Sequence, residues 1–393
     1  MPLNGVRTMQ GREVVVVEAV RTPIGRGHPE KGVYRDLHPN VLLGAAYRAV
    51  VERAGIDPAL VDDAVAGCVS QVGEQSAIGR NAWLQAGLPE TTPATTIDRK
   101  CGSGQQAVTF ATALIASGMA DVAIGAGVEH MGRIPIGASA TAGDLGTPHP
   151  PELLERYPLV NQGVSAEMIA QRWKVTRAEQ DALSLESHRR AARATDEGRF
   201  AREIVPLTAN GAEVARDQGI REDTSLERLA ALPAAFQEGG AITAGNSSQI
   251  SDGASAVLLM AREKADELGL RPRARIVDAL AVGVDPVLML TGPIPATRKI
   301  LERNGLALGD LDLVEINEAF ASVVCAWQRE LGADLDRVNV NGGAIALGHP
   351  LGASGARLIT TLLHELERSD GELGLVTMCT AGGMGTATLL QRV

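Results

Sequence analysis

Aromatic side chains are scarce in this sequence, at 3% of 393 residues, whereas glycine is abundant at 44 residues. A core with few large rings must be built from Ala, Val, Leu and Ile, with close contacts between backbones. The chain is globular in composition, with 45% hydrophobic and 21% charged residues. This composition favours an α/β fold in which helices cover a buried, mostly parallel sheet. The length allows two or three domains.

Positive charge is also in short supply, because 47 acidic residues outnumber 37 Lys and Arg and leave a net charge of -10. A protein that binds nucleic acid needs a basic face, so this balance argues against a nucleic-acid partner. A small phosphate-bearing ligand remains compatible, since a few local arginines can bind it.

Long apolar runs and paired cysteines are missing as well. The valines at 14–17 are too few for a membrane span or a signal segment, and we interpret them as a first buried strand after a loose tail at 1–10. No C-x-x-C pair occurs, which argues against a metal site or a disulfide framework. Free thiols suit a reducing cytosol, so we expect a cytoplasmic protein without a membrane attachment. The four cysteines are Cys68, Cys101, Cys325 and Cys379.

The order of the remaining patterns indicates two related halves. In each half a helical run, at 42–54 and at 297–303, leads through a glycine turn into an apolar strand, at 64–67 and at 314–317. A Gly-rich turn then opens a second helix, and another apolar strand follows. Strands that alternate with helices imply right-handed βαβ units and mostly parallel sheets.

The region between the halves, roughly 132–245, has a different character. A loop rich in Gly and Pro is followed by amphipathic helical stretches at 165–173 and 177–198, with many arginines. Most of these arginines should pair with local acids on solvated helix faces. One or two could bind an anionic ligand.

Cys101 is the most informative residue, because it follows an apolar stretch and precedes a small-residue turn that opens a helical pattern to about Ser117. A thiol at a helix N-terminus should have a lowered pKa and react as the thiolate. Two alternatives stay open at this point. A buried cysteine is often a small hydrophobic residue, and Gly102-x-Gly104-x-x-Ala107 also fits a weak dinucleotide-binding pattern.

Three further glycine-punctuated sites carry reactive side chains. Asn317 and Glu318 follow an apolar strand, although Asn317 could simply cap a helix. His349 lies between Gly348 and a proline, where it is better positioned to be a base than most single histidines. Cys379 ends a strand before a glycine run. A thiolate, a histidine base, backbone N–H groups and a second thiol together suggest acyl transfer through a thioester.

The chain resembles the thiolase family over essentially its whole length. Cys-Gly-Ser-Gly at 101–104, Asn-Glu-Ala-Phe at 317–320, Gly-His-Pro at 348–350 and Cys379 before its glycine run match the family's four catalytic blocks in order. Residues 245–254 match the block near the CoA pantetheine.

The resemblance implies a thiolase fold. That fold has two duplicated α/β halves with mixed, mostly parallel five-stranded sheets, in α-β-α-β-α layers with an inserted loop domain. The implied divisions are 1–131 with 246–271 for the first half, 132–245 for the CoA-binding loop domain, and 272–393 for the second half. Thiolases are dimers or dimers of dimers, so a homodimer or homotetramer is expected.

The resemblance also implies a role for each matching residue. Cys101 is the acylated nucleophile, His349 activates it and helps bind the thioester oxygen, and Cys379 moves the proton at the substrate's α-carbon. Asn317 holds a water in one oxyanion hole, and the backbone N–H groups of Cys101 and Ala381 form the other. The implied CoA and substrate contacts are Arg221 at the adenine end, Ser248 at the pantetheine, Ala319 and Phe320 along the channel, Met289 near the acyl group, and Asn161.

Two positions depart from the family pattern. Ala381 stands where thiolases commonly have glycine, and a positive φ there would cost about 1 kcal/mol for alanine. Asn-Gln-Gly at 161–163 stands where many acetoacetyl-specific thiolases have His-Met-Gly. The second departure resembles degradative thiolases with broader acyl pockets.

We therefore predict an acyltransferase, a 3-ketoacyl-CoA thiolase of fatty-acid or sterol side-chain degradation. Its reactants would be 3-ketoacyl-CoA, acetyl-CoA and CoA, with CoA as co-substrate and no bound cofactor. The nearest alternative is an acetoacetyl-CoA thiolase. More distant alternatives are a ketosynthase-type condensing enzyme, which would need a second histidine in place of Asn317, an NAD-binding oxidoreductase, and a thiolase relative that carries lipid without turnover.

Overall fold

The computed structural model describes residues 11–141, 143 and 146–393, and the tail expected at 1–10 lies outside them. The predicted alternation of helices with apolar strands is confirmed in each half. The strands are β1 (Val14–Arg21), β2 (Gly25–Arg26), β3 (Asp63–Gly67), β4 (Ala94–Ile97), β5 (Val122–His130), β6 (Leu207–Ala209), β7 (Ala212–Val214), β8 (Ser251–Ala261), β9 (Ala274–Gly283), β10 (Leu313–Ile316), β11 (Leu373–Thr380) and β12 (Met384–Arg392).

The helical runs predicted at 42–54, 165–173, 177–198 and 297–303 are confirmed, each beginning within a few residues of the predicted start. The helices are α1 (Pro39–Ala54), α2 (Ile78–Gln85), α3 (Ser103–Ala116), α4 (Ala138–Thr141), α5 (Pro151–Arg156), α6 (Gln162–Arg172), α7 (Arg177–Asp196), α8 (Leu226–Ala230), α9 (Arg262–Glu267), α10 (Pro293–Asn304), α11 (Ala321–Leu331), α12 (Ala344–Leu347) and α13 (Leu351–Ser369). Across the described part of the chain, no helix combines the length and apolarity needed to cross a membrane.

The main sheet has the strand order β10-β11-β12-β9-β1-β8-β5-β3-β4, with β2 beside β8. In the first half β4, β3, β5 and β1 share one direction and β8 opposes them. In the second half β10, β11 and β9 share a direction and β12 opposes them. Most strands in each half are therefore parallel, as predicted.

The two halves differ at one sheet edge. Where β4 makes a fifth strand in the first half, the second half has only a single parallel bridge between Val314 and Val338. The half-sheets join through a short antiparallel contact, in which Val15 pairs with Arg275 and Val16 with Ala274.

Three apolar clusters show the predicted α-β-α-β-α layers. Alternate residues of β8 face opposite ways: Leu258 packs with α1 and α2, and Leu259 packs with α3 and α13. A third cluster lies between the second half-sheet and α10 and α11. Helices α3 and α13 thus lie between the two half-sheets and are buried on several sides.

Small residues allow α3 and α13 to approach closely. A Cβ on Gly104 would lie 2.6 Å from the Gly352 carbonyl oxygen, and one on Gly355 would collide with Gln105. The first turns of the two helices therefore touch. Since Cys101 precedes one helix and His349 the other, this contact brings two sequence-distant loops to the same place.

The described residues between 132 and 245 contain helices α4 to α8 and the β6–β7 hairpin. Helices α6 and α7 pack against α11 and α12 of the second half, whereas the hairpin packs against the apolar cluster of the first half. The Glu167 carboxylate accepts backbone hydrogen bonds from Ala241 at 2.9 Å and Ile242 at 2.8 Å, which ties α6 to the segment entering β8. Several arginines here pair with local acids, as expected for solvated faces. Examples are Arg177 with Asp181 and Arg190 with Glu186.

Candidate active site

The turn before α3 holds Cys101 against the end of β11. Lys100 adopts a left-handed conformation with φ 49°, and the Gly102 N–H donates to the Arg99 carbonyl at 3.1 Å. A Cβ on Gly102 would lie 2.8 Å from the Thr380 side chain. This tight turn therefore sets the Cys101 thiol next to the residues that follow Cys379.

The expected lowering of the Cys101 pKa is wrong. Cys101 is 4% exposed, and burial raises its pKa to about 11. The backbone N–H groups of Ala381 and of Cys101 itself oppose this rise by favouring the thiolate, whereas the nearby Glu129 carboxylate adds to it. Desolvation outweighs the helix N-terminus because all sides of the thiol are covered by protein. The predicted nucleophile is therefore a thiol, which would need a base to react as the thiolate.

Cys379 is the second buried thiol, at the end of β11. Burial raises its pKa first, and a negative charge on Cys101 would raise it further. This coupling means that the two sulfurs lie close together. Cys379 therefore keeps its proton more firmly than Cys101 does, which suits a proton donor.

The hydrogen bonds around His349 determine which of its ring nitrogens carries the proton. The Ser354 hydroxyl donates to the Pro350 carbonyl at 2.8 Å and lies 2.6 Å from His349 Nδ1. Since that hydroxyl proton is already used, Nδ1 must carry the proton and donate it to Ser354. Nε2 is then the unprotonated ring nitrogen. Burial, together with the nearby Arg357 charge, lowers the His349 pKa to about 3. His349 is thus a neutral base with a defined tautomer.

Asn317 follows β10 directly and faces the histidine. Its Nδ2 donates to His349 Nε2 at 3.3 Å, and its Oδ1 is buried with no hydrogen-bond partner among the described residues. Helix α11 begins only at Ala321, so Asn317 does not cap it. The capping alternative is therefore wrong, and Oδ1 is an acceptor that a water or a ligand can use.

Ala381 has an ordinary backbone conformation. Left-handed φ angles fall instead on Gly382 at 82° and Gly383 at 77°. The alanine therefore causes no strain, and its N–H still points at the Cys101 sulfur. The departure from glycine leaves this donor available.

An apolar cluster extends from Cys379. It contains the predicted channel residues Ala319 and Phe320, and Met289, which was predicted near the acyl group. The Ser248 N–H donates to the Ala319 carbonyl at 2.9 Å, so the half-buried Ser248 lies beside this cluster. Its other members are Ala166, Ile169, Ile242, Leu288, Leu290, Val323 and Ala326, with Val160, Met168, Trp173 and Ala381 packed against it.

The dinucleotide-binding alternative is not supported, because α13 fills the space beside Gly104. Within the described ranges, no group of three His, Cys, Asp or Glu side chains is arranged to hold a metal ion.

Comparison with known proteins identifies the family. The description "Thiolase, N-terminal domain" matches residues 14–263, and "Thiolase, C-terminal domain" matches 270–392. The chain belongs to the thiolase family. A steroid 3-ketoacyl-CoA thiolase of Mycobacterium tuberculosis is 48% identical, covering 97% of this chain and 94% of the relative.

Two further similar proteins agree with this assignment. A 3-ketoacyl-CoA thiolase of Psychrobacter cryohalolentis is 44% identical over 97% of this chain and 98% of the relative. The crystal structure of the Bacillus anthracis acetyl-CoA acetyltransferase has a TM-score of 0.90 and 38% identity, covering 98% of this chain and all of that one. This thiolase is therefore related to both degradative and acetyl-transferring members.

The remaining predicted contacts, Arg221 and Asn161, are exposed and lie outside the apolar cluster. Arg221 is exposed, and its backbone N–H donates to His188 Nδ1 at 3.1 Å. Asn161 is also exposed, and its Oδ1 accepts from the Gly163 N–H at 2.9 Å to cap α6. The structure does not bring the Asn161 side chain into the apolar cluster, although its neighbour Val160 packs there.

Two side chains at the thiolase site were missed in the sequence. Ser354 sets the His349 tautomer, and its position five residues after the histidine was the available signal. Phe236 packs edge-on to Phe320 at 5.9 Å between ring centroids, and a Cβ on Gly163 would collide with its ring. The only signal in the sequence was the scarcity of phenylalanine, of which the chain has four.

Proposed function

We propose that this thiolase is an acetyl-CoA C-acyltransferase that cleaves 3-ketoacyl-CoA with CoA, in the β-oxidation of fatty acids or sterol side chains. The observation that carries the proposal is a pair of neighbouring buried thiols together with a neutral histidine in the loop before α13, the helix whose first turn touches that of α3. Cys101 and Cys379 lie side by side, and His349 presents an unprotonated Nε2. The names of the similar bacterial proteins support the same reaction.

In the first half-reaction, the Cys101 sulfur attacks the 3-keto carbon while its proton passes to His349. The bond between C2 and C3 then breaks, and its electron pair leaves on C2. The Cys379 thiol protonates C2, which releases acetyl-CoA and leaves the acyl group on Cys101. Covalent catalysis of this kind divides one difficult cleavage into two easier steps.

In the second half-reaction, Cys379, now a thiolate, takes the proton of the incoming CoA thiol. The CoA sulfur attacks the acyl carbonyl, and the Cys101 sulfur departs and recovers its proton from His349. Acyl-CoA leaves, and every group returns to its starting state. CoA is thus a co-substrate, and no permanently bound cofactor is required.

Two oxyanion sites would stabilise the negative charge on the reacting oxygens. We assign one to the N–H groups of Cys101 and Ala381, which already favour charge on the Cys101 sulfur. We assign the other to His349 and a water held by Asn317, whose free Oδ1 supports this role. Preorganised donors of this kind often contribute more to the rate of acyl transfer than any other single feature of the site.

For CoA, we propose that Ser248 contacts the pantetheine and Arg221 the adenine end, with Asn161 near the entrance. These residues belong to, or border, the proposed loop domain at 132–245, between proposed halves at 1–131 with 246–271 and 272–393. Arg221 is supported by its exposure, since its charge is open to a phosphate. Ala319, Phe320 and Met289 would line the acyl channel.

An acetoacetyl-specific enzyme is the second candidate, favoured by the similarity to the Bacillus anthracis acetyl-CoA acetyltransferase. The two candidates differ in the acyl group that the apolar cluster around Met289 and Phe320 accepts. Intact mass measured after mixing with 3-ketoacyl-CoAs from C4 to C16, and with a steroid side-chain analogue, decides between them. Adducts and kcat/KM that favour longer or sterol chains support our proposal, whereas a strong C4 preference contradicts it.

We also propose a homodimer or homotetramer. Strand β4 lies at the edge of the sheet, and beside it Phe110 is 43% and Met119 76% exposed, around a cleft of about 450 Å³. An apolar patch at an open strand edge suits contact with a second copy. Light scattering should give a multiple of 41.0 kDa, and F110D with M119D should lower it.

A cytoplasmic location is our last proposal on function. It is supported by the cysteines at 68, 101, 325 and 379, all of which are free, since free thiols persist in a reducing compartment. Fractionation of cells that produce the protein tests it, and recovery outside the cytoplasm contradicts it.

A further inference from the structure

Arg357, on α13, is a buried charge that the proposed chemistry leaves unused. It is 1% exposed, and no guanidinium nitrogen has a hydrogen-bond partner among the residues described. Its counter-charge is Glu315 on β10, whose Oε2 lies 3.7 Å from Nη1. Buried charges normally have direct partners, because an unpaired charge in the interior is costly. The arrangement therefore needs an explanation.

Arg21 shows how this fold satisfies a buried arginine that has only a structural task. Its guanidinium donates to Glu203 at 2.5 Å and to the two Asp217 oxygens at 2.7 and 2.9 Å. Arg357 makes no comparable set of hydrogen bonds to a carboxylate. A separation of 3.7 Å exceeds a direct hydrogen bond, so enclosed water is the bridging partner that the chemistry allows.

The Arg357–Glu315 pair joins the same two elements as the hydrogen bond between Asn317 and His349. Glu315 and Asn317 are two residues apart in an extended segment, so their side chains leave the same face. Arg357 follows Ser354, which accepts the His349 Nδ1–H, by one helical turn and lies on the same face of α13. The pair thus lies immediately behind both of these active-site side chains.

Other charges also face the pair. Thr361, one turn beyond Arg357, donates to the Glu203 carboxylate at 3.2 Å, and Arg21 binds the same carboxylate. Burial lowers the pKa of Arg357 and raises that of Glu315, while each charge favours the other. The remaining charged neighbours are Glu318 and Glu365.

We propose that Arg357 and Glu315 are positioning residues that hold the start of α13 against the end of β10, so that His349 Nε2 and the Asn317 amide face the substrate. The inference rests on the proposed thiolysis at this site. The pair touches neither substrate nor CoA, so it acts through His349 and Asn317.

The test uses full-length E315Q, R357K and R357M in steady-state thiolysis of acetoacetyl-CoA and one longer 3-ketoacyl-CoA. We expect kcat of R357M to fall about 10- to 100-fold, since a misplacement of about 1 Å can cost that much, with KM for CoA nearly unchanged. R357K should recover part of this loss because it keeps the charge. Burial raises the pKa of Glu315 to about 8, so its carboxyl is mostly ionised only above that pH. Above pH 8, E315Q should lose about tenfold in kcat, because it leaves Arg357 without its counter-charge.

A pH profile separates positioning from general destabilisation. Arg357 helps lower the pKa of His349, whose other close neighbours, Asn317, Ser354 and Ser251, are uncharged. In R357M the acid limb of kcat should therefore move to higher pH. The matched control is D278N, which removes a buried carboxylate that accepts from Arg303 and Asn304 between α10 and β9. D278N should reduce thermal stability without moving the pH profile.

Three results would overturn the inference. One is wild-type kcat and pH profile in both E315Q and R357K. Another is a loss of kcat in R357M that matches D278N at equal thermal stability, with no shift of the pH profile. If the single variants do not fold, the double variant E315L/R357L, which removes both charges, replaces them in the test. Wild-type kinetics in this double variant are the third result that would overturn the inference. A wild-type protein that forms no acyl-enzyme contradicts the proposed function instead.

Discussion

The two buried thiols come from different halves of the molecule, and their surroundings differ in the groups that act on the thiolate charge. Burial raises the pKa of both, but two backbone N–H groups stabilise charge on Cys101. Cys379 has apolar neighbours such as Met289 and Phe320, and it faces the charge of Cys101 itself. Two like groups whose environments separate their pKa values can take opposite roles. The comparison therefore supports the proposed roles of Cys101 as nucleophile and Cys379 as proton donor.

Removing Cys101 should have the largest effect. We expect C101A to lower thiolysis at least about 10⁴-fold, as loss of a covalent nucleophile does in other acyl-transfer enzymes. Intact mass should show no acyl adduct. C325A is the matched control, because Cys325 is a half-buried free thiol on α11, and it should remain active. Wild-type turnover in C101A would show that Cys101 is not the nucleophile.

Removing Cys379 should separate the two thiol roles. C379A should lose carbon–carbon cleavage by about 10³-fold, because general acid–base catalysis contributes about 10²- to 10⁴-fold. It should still form an acyl adduct from a simple acyl-CoA, since that step does not protonate C2. Mass spectrometry and the cleavage assay measure the two steps separately. Full cleavage activity in C379A would mean that another group supplies the proton.

The pH dependence of alkylation tests the difference between the thiols directly. Because the Cys101 pKa is raised to about 11, its thiolate fraction increases with pH throughout the range below that value. The rate of iodoacetamide labelling at Cys101 should rise about tenfold per pH unit from pH 7 to 9. Cys379 should label more slowly at every pH. A plateau below pH 8, measured by peptide mapping, would show a lowered pKa instead.

Ser354 tests the base that serves Cys101. In S354A the Nδ1–H loses its acceptor, and both tautomers of His349 become accessible, so kcat/KM should fall about tenfold. T360V is the control, because Thr360 is a buried hydroxyl on α13 that donates to the Ala356 carbonyl. T360V should keep wild-type kcat/KM. Equal losses in both variants would indicate a general effect on the helix.

Ala381 should give the smallest effect. Its φ is not positive, so A381G should change kcat/KM by less than about threefold, because the N–H donor is unchanged. G382A is the matched contrast, since Gly382 has φ 82° and an added Cβ would meet only the Met384 methyl group, at an ordinary contact distance of 3.8 Å. It should lose about 1 kcal/mol of unfolding free energy, the cost of a left-handed alanine. A large gain of activity in A381G would show that alanine impairs the oxyanion site.

Much of this protein was predictable from local patterns. Helices at 42–54 and 297–303 form because apolar residues recur at helical spacing, and each ends at a left-handed glycine, Gly55 and Gly305. The four catalytic blocks were recognisable because their residues are adjacent in the chain. The single bridge that replaces a fifth strand in the second half was not predictable, since pairing depends on a distant partner.

The sequence by itself determined the order of elements, the family and the identity of the reactive groups, because each is written in short contiguous segments. Only the tertiary structure decided how those groups behave. The contact of α3 with α13 buries Cys101 and raises its pKa, Ser354 selects the His349 tautomer, and Arg357 meets Glu315 behind them. The physical reason is that desolvation and charge coupling depend on every element packed around a site, and those elements lie far apart in the chain.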